Sequence, residues 1–152
     1  MNEPAPIPFI LLVEDDPNYR LVFRRAMGQA FAIVEACTLQ EAVGKLHLPF
    51  DCVVADLGLP DCKREETVPR IIEICKSSLL VVALSGYEQP EFIRQTIRDG
   101  AADYLLKGRD DQDPATLLSI IGRHKAHIRA AEALDRAGTA TEHLKNLTRD
   151  VP

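Results

Sequence analysis

Five short, almost continuous apolar runs alternate with segments of helical periodicity, and this alternation constrains the fold of the chain more than any other feature. The runs cover residues 9–13, 31–35, 52–55, 79–84 and 102–106. A run that is apolar at successive positions is typical of a strand inside a parallel sheet, because helices cover both faces of such a sheet. We therefore interpret the runs as five buried strands.

The segments between the runs carry the start and stop signals of helices. Asp16 and Pro17 supply an N-cap and a first-turn proline to a helix that we expect to end at Gly28. Thr38 and Glu41 have the spacing of a capping box, which predicts a short helix through residue 46. The remaining helices are predicted over residues 67–76, over residues 90–99 and from Pro114 onward.

Strict alternation of five strands and five helices predicts an α/β fold, because right-handed crossovers leave few other arrangements. We expect a flavodoxin-like, doubly wound sheet of parallel strands in the order 2-1-3-4-5, with helices on both faces. Ligands bind such sheets at the carboxyl ends of the strands, near the point where the strand order reverses. The domain is predicted to span residues 8–125, between a tail of residues 1–7 and a helical extension or linker of residues 126–152.

Composition limits the classes of partner. The formal net charge is −5 at pH 7, which gives no general attraction to nucleic acid. No apolar stretch approaches membrane-spanning length, and the proline-rich start lacks the features of a signal peptide. The four cysteines form no C-x-x-C pair, so a zinc ribbon is not indicated. We expect a cytoplasmic protein without nucleic-acid or membrane partners.

Polar residues that can bind a metal ion and phosphate follow four of the predicted strands. They are Glu14, Asp15 and Asp16 after the first strand, Asp56 after the third, Ser85 after the fourth and Lys107 after the fifth. Carboxylates gathered at one sheet edge repel one another unless a cation neutralises them. A hard, oxygen-ligated ion such as Mg²⁺, or Mn²⁺ in its place, is therefore predicted. Lys107 and Ser85 offer a positive charge and a hydroxyl donor to phosphate, and Asp56 offers a nucleophile.

Four segments carry a family resemblance, namely ILLVEDDPNYR, VVADLGLPD, VVALSG and GAADYLLKG. In this order the chain resembles the receiver domains of bacterial two-component response regulators over about residues 8–125. The roles implied by the resemblance are phosphoacceptor for Asp56, metal pair for Glu14 and Asp15, metal-binding backbone carbonyl for Gly58, phosphate contacts for Ser85 and Lys107, and aromatic switch for Tyr104.

The resemblance also implies a function. A sensor histidine kinase or a histidine phosphotransfer protein would pass a phosphoryl group from phosphohistidine to Asp56 in a magnesium-dependent step. The surface of helix four, strand five and helix five would then change its preference for a downstream protein target. Such a domain is a switch and not a conventional enzyme, although it catalyses its own phosphorylation and slow dephosphorylation.

Several alternatives stand beside these assignments. Asp16 is explained by helix capping alone, and Tyr104 is explained equally well as a core aromatic residue. A phosphatase of the haloacid-dehalogenase kind is disfavoured because its general acid would occupy the position of Gly58, which has no side chain to transfer a proton. An unphosphorylated, receiver-like interaction module is the main alternative function. Lys107 is followed by Gly108, where the family usually has proline, so the loop after the fifth strand is expected to differ in shape.

The C-terminal segment carries a heptad-like stripe of Leu117, Ile121, His124, Ile128 and Ala131. We expect its first part to pack on the sheet and helix to continue beyond it, with a break at residues 138–141. The extension is predicted to pair with a second copy or with a partner helix, the alternative being a solvated linker. A homodimer through the face of helix four, strand five and helix five is a further possibility.

Overall fold

The computed structural model describes residues 3–75 and 79–149, within which five strands alternate with five helices. In chain order these are β1 (Phe9–Val13), α1 (Pro17–Met27), β2 (Ala32–Ala36), α2 (Leu39–Lys45), β3 (Cys52–Asp56), α3 (Thr67–Cys75), β4 (Leu80–Ser85), α4 (Pro90–Arg98), β5 (Asp103–Leu106) and α5 (Pro114–Arg149). The strands form one parallel sheet in the order β2-β1-β3-β4-β5. The predicted flavodoxin-like, doubly wound fold is confirmed.

The core has two halves, one on each face of the sheet. On one side α1 and α5 pack against strand residues such as Ile10, Leu12 and Val54. On the other side α2, α3 and α4 pack against the alternate positions, including Leu11 and Val53. Because helices cover both faces, every residue of β3 is buried, which explains why its sequence shows a continuous apolar run instead of alternation.

Several strand ends differ from the predicted runs by one residue, and the difference at Ser85 affects the site. β2 begins one residue later than expected, at Ala32, and β4 extends one residue further, to Ser85. Ser85 pairs with Leu106 of β5, and its carbonyl accepts a hydrogen bond from the Lys107 N–H at 3.1 Å. Ser85 is therefore part of the ladder, and its backbone is fixed relative to the loop after β5.

Side-chain caps set the helix starts as their residue types predict. Asp16 accepts a hydrogen bond from the Asn18 N–H at 2.9 Å, and Thr38 accepts one from the Glu41 N–H at 3.0 Å. These contacts satisfy N–H groups that lack a partner within the helix. In addition, Asp61 accepts hydrogen bonds from the first N–H groups of α2, at 2.9 Å from Leu39 N. This loop residue therefore caps α2 from a distance.

The last helix is longer than predicted, and the break expected at residues 138–141 is wrong. α5 runs without interruption from Pro114 to Arg149. The hydroxyls of Thr139 and Thr141 donate to the carbonyls one turn earlier, at 3.0 and 2.9 Å, so these residues are accommodated inside the helix. A lone glycine costs only about 1 kcal/mol in a helix, which is too little to end it here.

The predicted stripe on α5 divides into two parts. Leu117 and Ile121 pack in the core on the sheet, as expected of the first part, whereas all residues from 126 to 149 are exposed. The extension therefore has no contact that covers it within the described chain. None of the described helices combines the length and apolar character that crossing a membrane would require.

Candidate functional site

Three carboxylates meet at the carboxyl edge of the sheet, where β1 and β3 lie side by side. Glu14 and Asp15 directly follow β1, and Asp56 is the last residue of β3. One oxygen from each lies within 4.8 Å of the others. Glu14 and Asp56 are buried, whereas Asp15 is exposed to solvent. The arrangement offers a cation three carboxylate ligands, with one side open to solvent.

One carboxylate oxygen of Glu14 is available to bind a cation. Its Oε1 accepts a hydrogen bond from the Asp16 N–H at 3.0 Å. Its Oε2 is buried and accepts no well-aligned hydrogen bond from the described residues, although the Lys107 ammonium lies 2.7 Å away. Burial raises the pKa of Glu14 and outweighs the opposing contacts with Lys107 and Asp16. A buried oxygen in this state suits a hard cation, which would supply the missing coordination.

Lys107 joins the carboxylates from the end of β5. Its ammonium nitrogen lies 2.7 Å from Glu14 Oε2 and 3.3 Å from Asp56 Oδ1. Burial acts to lower the pKa of Lys107, but its contacts with Glu14 and Asp56 outweigh this effect and raise the pKa. The lysine therefore keeps its proton. The single positive charge of Lys107 does not balance the charges of the three carboxylates, and the remaining negative charge favours binding of a divalent cation.

The Asp56 carboxylate is oriented by the backbone that follows it. The Gly58 N–H donates to Asp56 Oδ1 at 3.1 Å, and the Leu57 N–H donates to the Leu84 carbonyl of β4 at 3.0 Å. A Cβ at Gly58 would lie 3.4 and 3.6 Å from the two carboxylate oxygens. A glycine at this position therefore leaves the approach to Asp56 open.

Ser85 and Tyr104 are linked through the loop after β4. The Tyr87 N–H donates to Ser85 Oγ at 3.1 Å, and the Tyr104 hydroxyl donates to the Tyr87 carbonyl at 2.7 Å. Tyr104 is buried, and this burial raises its pKa. Its ring is thus a core aromatic group, and its hydroxyl is fixed to the same short segment as Ser85.

Two residues near the site were missed by the sequence reasoning. Tyr19, on α1, places its ring centroid 4.4 Å from Lys107 Nζ. The Tyr19 hydroxyl donates a hydrogen bond to Asp111, a buried carboxylate in the loop before α5. The acidic pair Asp110–Asp111 was visible in the sequence. Nothing in the sequence linked that pair to Tyr19, because α1 and this loop are far apart in the chain.

The loop after β5 turns sharply at Gly108. Gly108 has a φ of +81°, in the left-handed region that residues with side chains rarely adopt. Its N–H donates to Asp111 Oδ1 at 2.8 Å. The chain therefore turns sharply after Lys107, with a buried carboxylate closing the turn.

Comparison with known proteins identifies the pattern. The family model described as the response regulator receiver domain matches residues 10–121. An uncharacterized 14.6 kDa protein of Leptolyngbya boryana, from the sodA1 3′ region, is 32% identical over 119 residues, covering 76% of this chain and 88% of that protein.

Solved structures share the fold. A CheY-like response regulator receiver domain protein of Methanospirillum hungatei superposes with a TM-score of 0.71 at 18% identity, covering 80% of this chain and 99% of that one. A response regulator of Burkholderia pseudomallei, solved with a phosphorylated aspartic acid, a calcium ion and citrate, gives a TM-score of 0.65 at 20% identity, covering 84% and 74%.

Proposed function

Because the chain belongs to the response regulator receiver domain family, which consists of signalling domains, we propose that it is a phosphorylation-controlled switch with Asp56 as the phosphoacceptor. The observation that carries this proposal is the setting of Asp56, which lies at the end of β3 with Lys107 3.3 Å away and two further carboxylates beside it. The proposed donor is a phosphohistidine on a sensor histidine kinase or a histidine phosphotransfer protein.

The residues present fit a divalent metal ion, proposed to be Mg²⁺ or Mn²⁺. Glu14, Asp15, Asp56 and the Gly58 backbone carbonyl would hold it. Support comes from the buried Glu14 Oε2, which lacks a well-aligned hydrogen bond among the described residues. When bound, the ion would neutralise negative charge on the carboxylates and on the transferring phosphoryl group.

The transfer itself is a displacement at phosphorus. A carboxylate oxygen of Asp56 forms the new O–P bond as the N–P bond to the donor histidine breaks, and the histidine, whose other ring nitrogen carries a proton, leaves as neutral imidazole. Lys107, whose ammonium lies 3.3 Å from Asp56 Oδ1, would contact the phosphoryl oxygens and offset the negative charge that they carry. Ser85 Oγ accepts from the Tyr87 N–H, and its hydroxyl also contacts the Tyr104 hydroxyl; to bind a phosphoryl oxygen the Ser85 hydroxyl would direct its proton to that oxygen instead.

The same contacts support a switch. If Ser85 moves toward a phosphoryl group on Asp56, Tyr87 must move too, because its N–H is bonded to Ser85 Oγ. The Tyr104 hydroxyl, which is bonded to the Tyr87 carbonyl, must then follow. Tyr104 lies on β5, between α4 and α5. We define the switch face as the surface formed by α4, β5 and α5, and propose that a downstream protein target binds there with a preference that depends on phosphorylation.

Intact-mass measurement with acetyl phosphate and Mg²⁺ tests the phosphoacceptor. We expect one added phosphoryl group that is labile to hydroxylamine and absent from Asp56→Asn. Asp135→Asn, which removes an exposed carboxylate on α5, is the matched control and should be labelled like the wild type. Equal labelling of Asp56→Asn would refute the assignment, and a wild type that accepts no phosphate from acetyl phosphate or any phosphohistidine donor would favour an unphosphorylated interaction module.

We also propose that the receiver domain spans residues 8–125 and that the extension of α5 pairs with a second copy of the chain. Leu134, Leu144 and Leu147 are 75%, 63% and 57% exposed on it. A solitary helix of this length is marginally stable in water, and most helices gain stability by packing an apolar face. Pairing would cover these side chains and stabilise the helix.

A seam with heptad spacing, on a different face of α5 from the predicted stripe that contains Ile128 and Ala131, indicates how two copies would meet. Its members recur at steps of four and three residues: Ala126, Ala130, Ala133, Ala137, Ala140, Leu144 and Leu147. Arg129 and Arg136 flank one side of the seam, and Leu134 and Thr141 flank the other. In a parallel pair the arginines face uncharged residues, whereas an antiparallel pair brings arginines of both copies together. The parallel arrangement is therefore favoured.

Light scattering tests this pairing. We expect the full chain to be dimeric and a truncation after Lys125 to be monomeric. Leu144→Lys should weaken the dimer, whereas Glu142→Lys, the same new side chain on the opposite face of the helix, should not. A monomeric full chain at high concentration would rule out self-pairing through the extension and through the switch face, and would leave a partner helix or a linker.

A further inference from the structure

The turn after β5 is held by hydrogen bonds to two carboxylates. The Leu106 N–H donates to Asp110 Oδ2 at 3.0 Å, and the Gly108 N–H donates to Asp111 Oδ1 at 2.8 Å. Lys107 lies between these two anchored positions. Its backbone is therefore restrained on both sides, and Gly108, with its backbone in the left-handed region, turns the chain immediately after it.

Asp111 is an unusual residue for such a loop because its carboxylate is buried, at 5% exposure. Its Oδ1 accepts from Gly108 N and its Oδ2 accepts from the Tyr19 hydroxyl. Burial, followed by the contact with Asp111, raises the pKa of Tyr19, so the hydroxyl remains a donor at ordinary pH. A buried carboxylate needs such donors, since losing one leaves a desolvated acceptor unsatisfied.

Tyr19 contacts Lys107 as well as Asp111. The Lys107 ammonium lies 4.4 Å from the centroid of the Tyr19 ring, a distance at which the negative face of the ring attracts a cation. Within residues 3–75 and 79–149, the ammonium also contacts Glu14 and Asp56, which are the groups proposed to receive the metal ion and the phosphoryl group. The Tyr19 ring therefore attracts the Lys107 ammonium independently of the Glu14 and Asp56 carboxylates.

From these contacts we infer that Tyr19 and Asp111 are positioning residues for Lys107: Asp111 fixes the turn that carries the lysine, and Tyr19 fixes both Asp111 and the ammonium. The inference rests on the proposed function of Asp56, because Lys107 acts there. Neither residue touches the reacting atoms. Their effect is to hold a flexible side chain, with its several rotatable bonds, in the position where it meets the phosphoryl group.

Two substitutions at Tyr19 separate its two contacts. Tyr19→Phe keeps the ring beside Lys107 and loses the hydrogen bond to Asp111, whereas Tyr19→Leu loses both. With saturating Mg²⁺ and acetyl phosphate, we expect Tyr19→Leu to slow phosphorylation of Asp56 by about tenfold and Tyr19→Phe by less. At Asp111, the Asn variant keeps an acceptor for Gly108 N and should be slowed less than the Ala variant.

A matched control excludes an effect of stability alone. Thr67 is fully buried in α3 and donates to the Lys63 carbonyl, so Thr67→Val perturbs the fold without contacting Lys107. Thermal unfolding ranks the variants by stability, and Thr67→Val should keep the phosphorylation rate of the wild type within about twofold. The inference is overturned if Tyr19→Leu reacts at the wild-type rate, or if the rates of all variants follow their stability.

The wild type serves as the reference for the proposed function itself. If the wild type acquires no phosphoryl group on Asp56, both the proposed function and this inference fail. If the wild type is labelled and the Tyr19 and Asp111 variants match it, only the positioning role fails. The inference is supported if the wild type is labelled and the variants are phosphorylated more slowly, with a lower rate for Tyr19→Leu than for Tyr19→Phe and a lower rate for Asp111→Ala than for Asp111→Asn.

Discussion

The adjacent residues Asp15 and Asp16 provide a sharp test of the site, because the same substitution should have opposite consequences at the two positions. Asp15 contributes an oxygen to the carboxylate cluster, whereas Asp16 is the N-cap of α1 and accepts from Asn18 N at 2.9 Å. We therefore expect Asp15→Ala to weaken Mg²⁺ binding with little effect on stability. Asp16→Ala should reduce stability and leave Mg²⁺ binding nearly unchanged.

The magnitudes follow from the two environments. Asp15 is exposed, so its loss removes no packed contact, but it removes one of three anionic ligands. We expect a loss of Mg²⁺ affinity on the order of tenfold or more, which corresponds to about 1.4 kcal/mol or more of binding free energy. Loss of the N-cap at Asp16 should cost about 0.5–2 kcal/mol of the free energy of unfolding, or a decrease in Tm of a few degrees, about 2–4 °C per kcal/mol.

Mg²⁺ titration followed by amide NMR shifts measures the affinities, and thermal unfolding without metal measures the stabilities. Each variant is the control for the other, since the new side chain is the same and the positions are adjacent. A larger loss of Mg²⁺ affinity in Asp16→Ala than in Asp15→Ala would refute the assignment of ligand and cap. It would show that the backbone after β1 presents the acidic run differently.

Three further predictions concern contacts outside the carboxylate cluster. Asp51 binds the Phe9 N–H and Lys125; burial opposes these contacts, but they prevail and lower its pKa. The stability contributed by Asp51 is therefore present above its unfolded pKa and lost as pH falls through the folded value, so unfolding curves should show a smaller acid-dependent loss in Asp51→Asn. Gly100→Ala should lower Tm by several degrees, since Gly100 has a φ of +115° and a Cβ would lie 2.3 Å from Ile72 Cδ1. Tyr104→Phe should cost about 1 kcal/mol of stability by losing the bond to the Tyr87 carbonyl, while Asp56 labelling stays within about twofold in the intact-mass assay.

Local sequence signals were sufficient for the features that depend on neighbouring residues. The buried strands follow from continuous apolar runs, and the caps at Asp16 and Thr38 follow from residue type and spacing. Parallel topology then brings the ends of β1 and β3 together, so the proximity of Glu14 and Asp56 needed no further information. These features are set by short-range rules and by a fold with few alternatives.

Features that depend on distant contacts were not predictable in this way. The hydrogen bond from Tyr19 to Asp111 joins residues 92 positions apart, and no local pattern links a tyrosine on a helix face to that loop. Asp61 caps α2 although it follows β3. At Gly138 a local signal was misleading. Glycine and threonine predicted a helix break at residues 138–141, but α5 continues through them, and the threonine hydroxyls bond to carbonyls of the preceding turn.

The continuity of α5 gives the chain a mechanical property. Its first turns pack on the sheet as part of the switch face, and residues 126–149 continue from them as one uninterrupted helix. At a rise of 1.5 Å per residue this lever arm is about 36 Å long, so a tilt of about 10° at its base would displace the tip by about 6 Å. A small rearrangement around Tyr104 would thereby become a large movement at the far end. Spin-label distances between the tip and the sheet, with and without phosphoryl donor, would measure that displacement, and unchanged distances would contradict the lever.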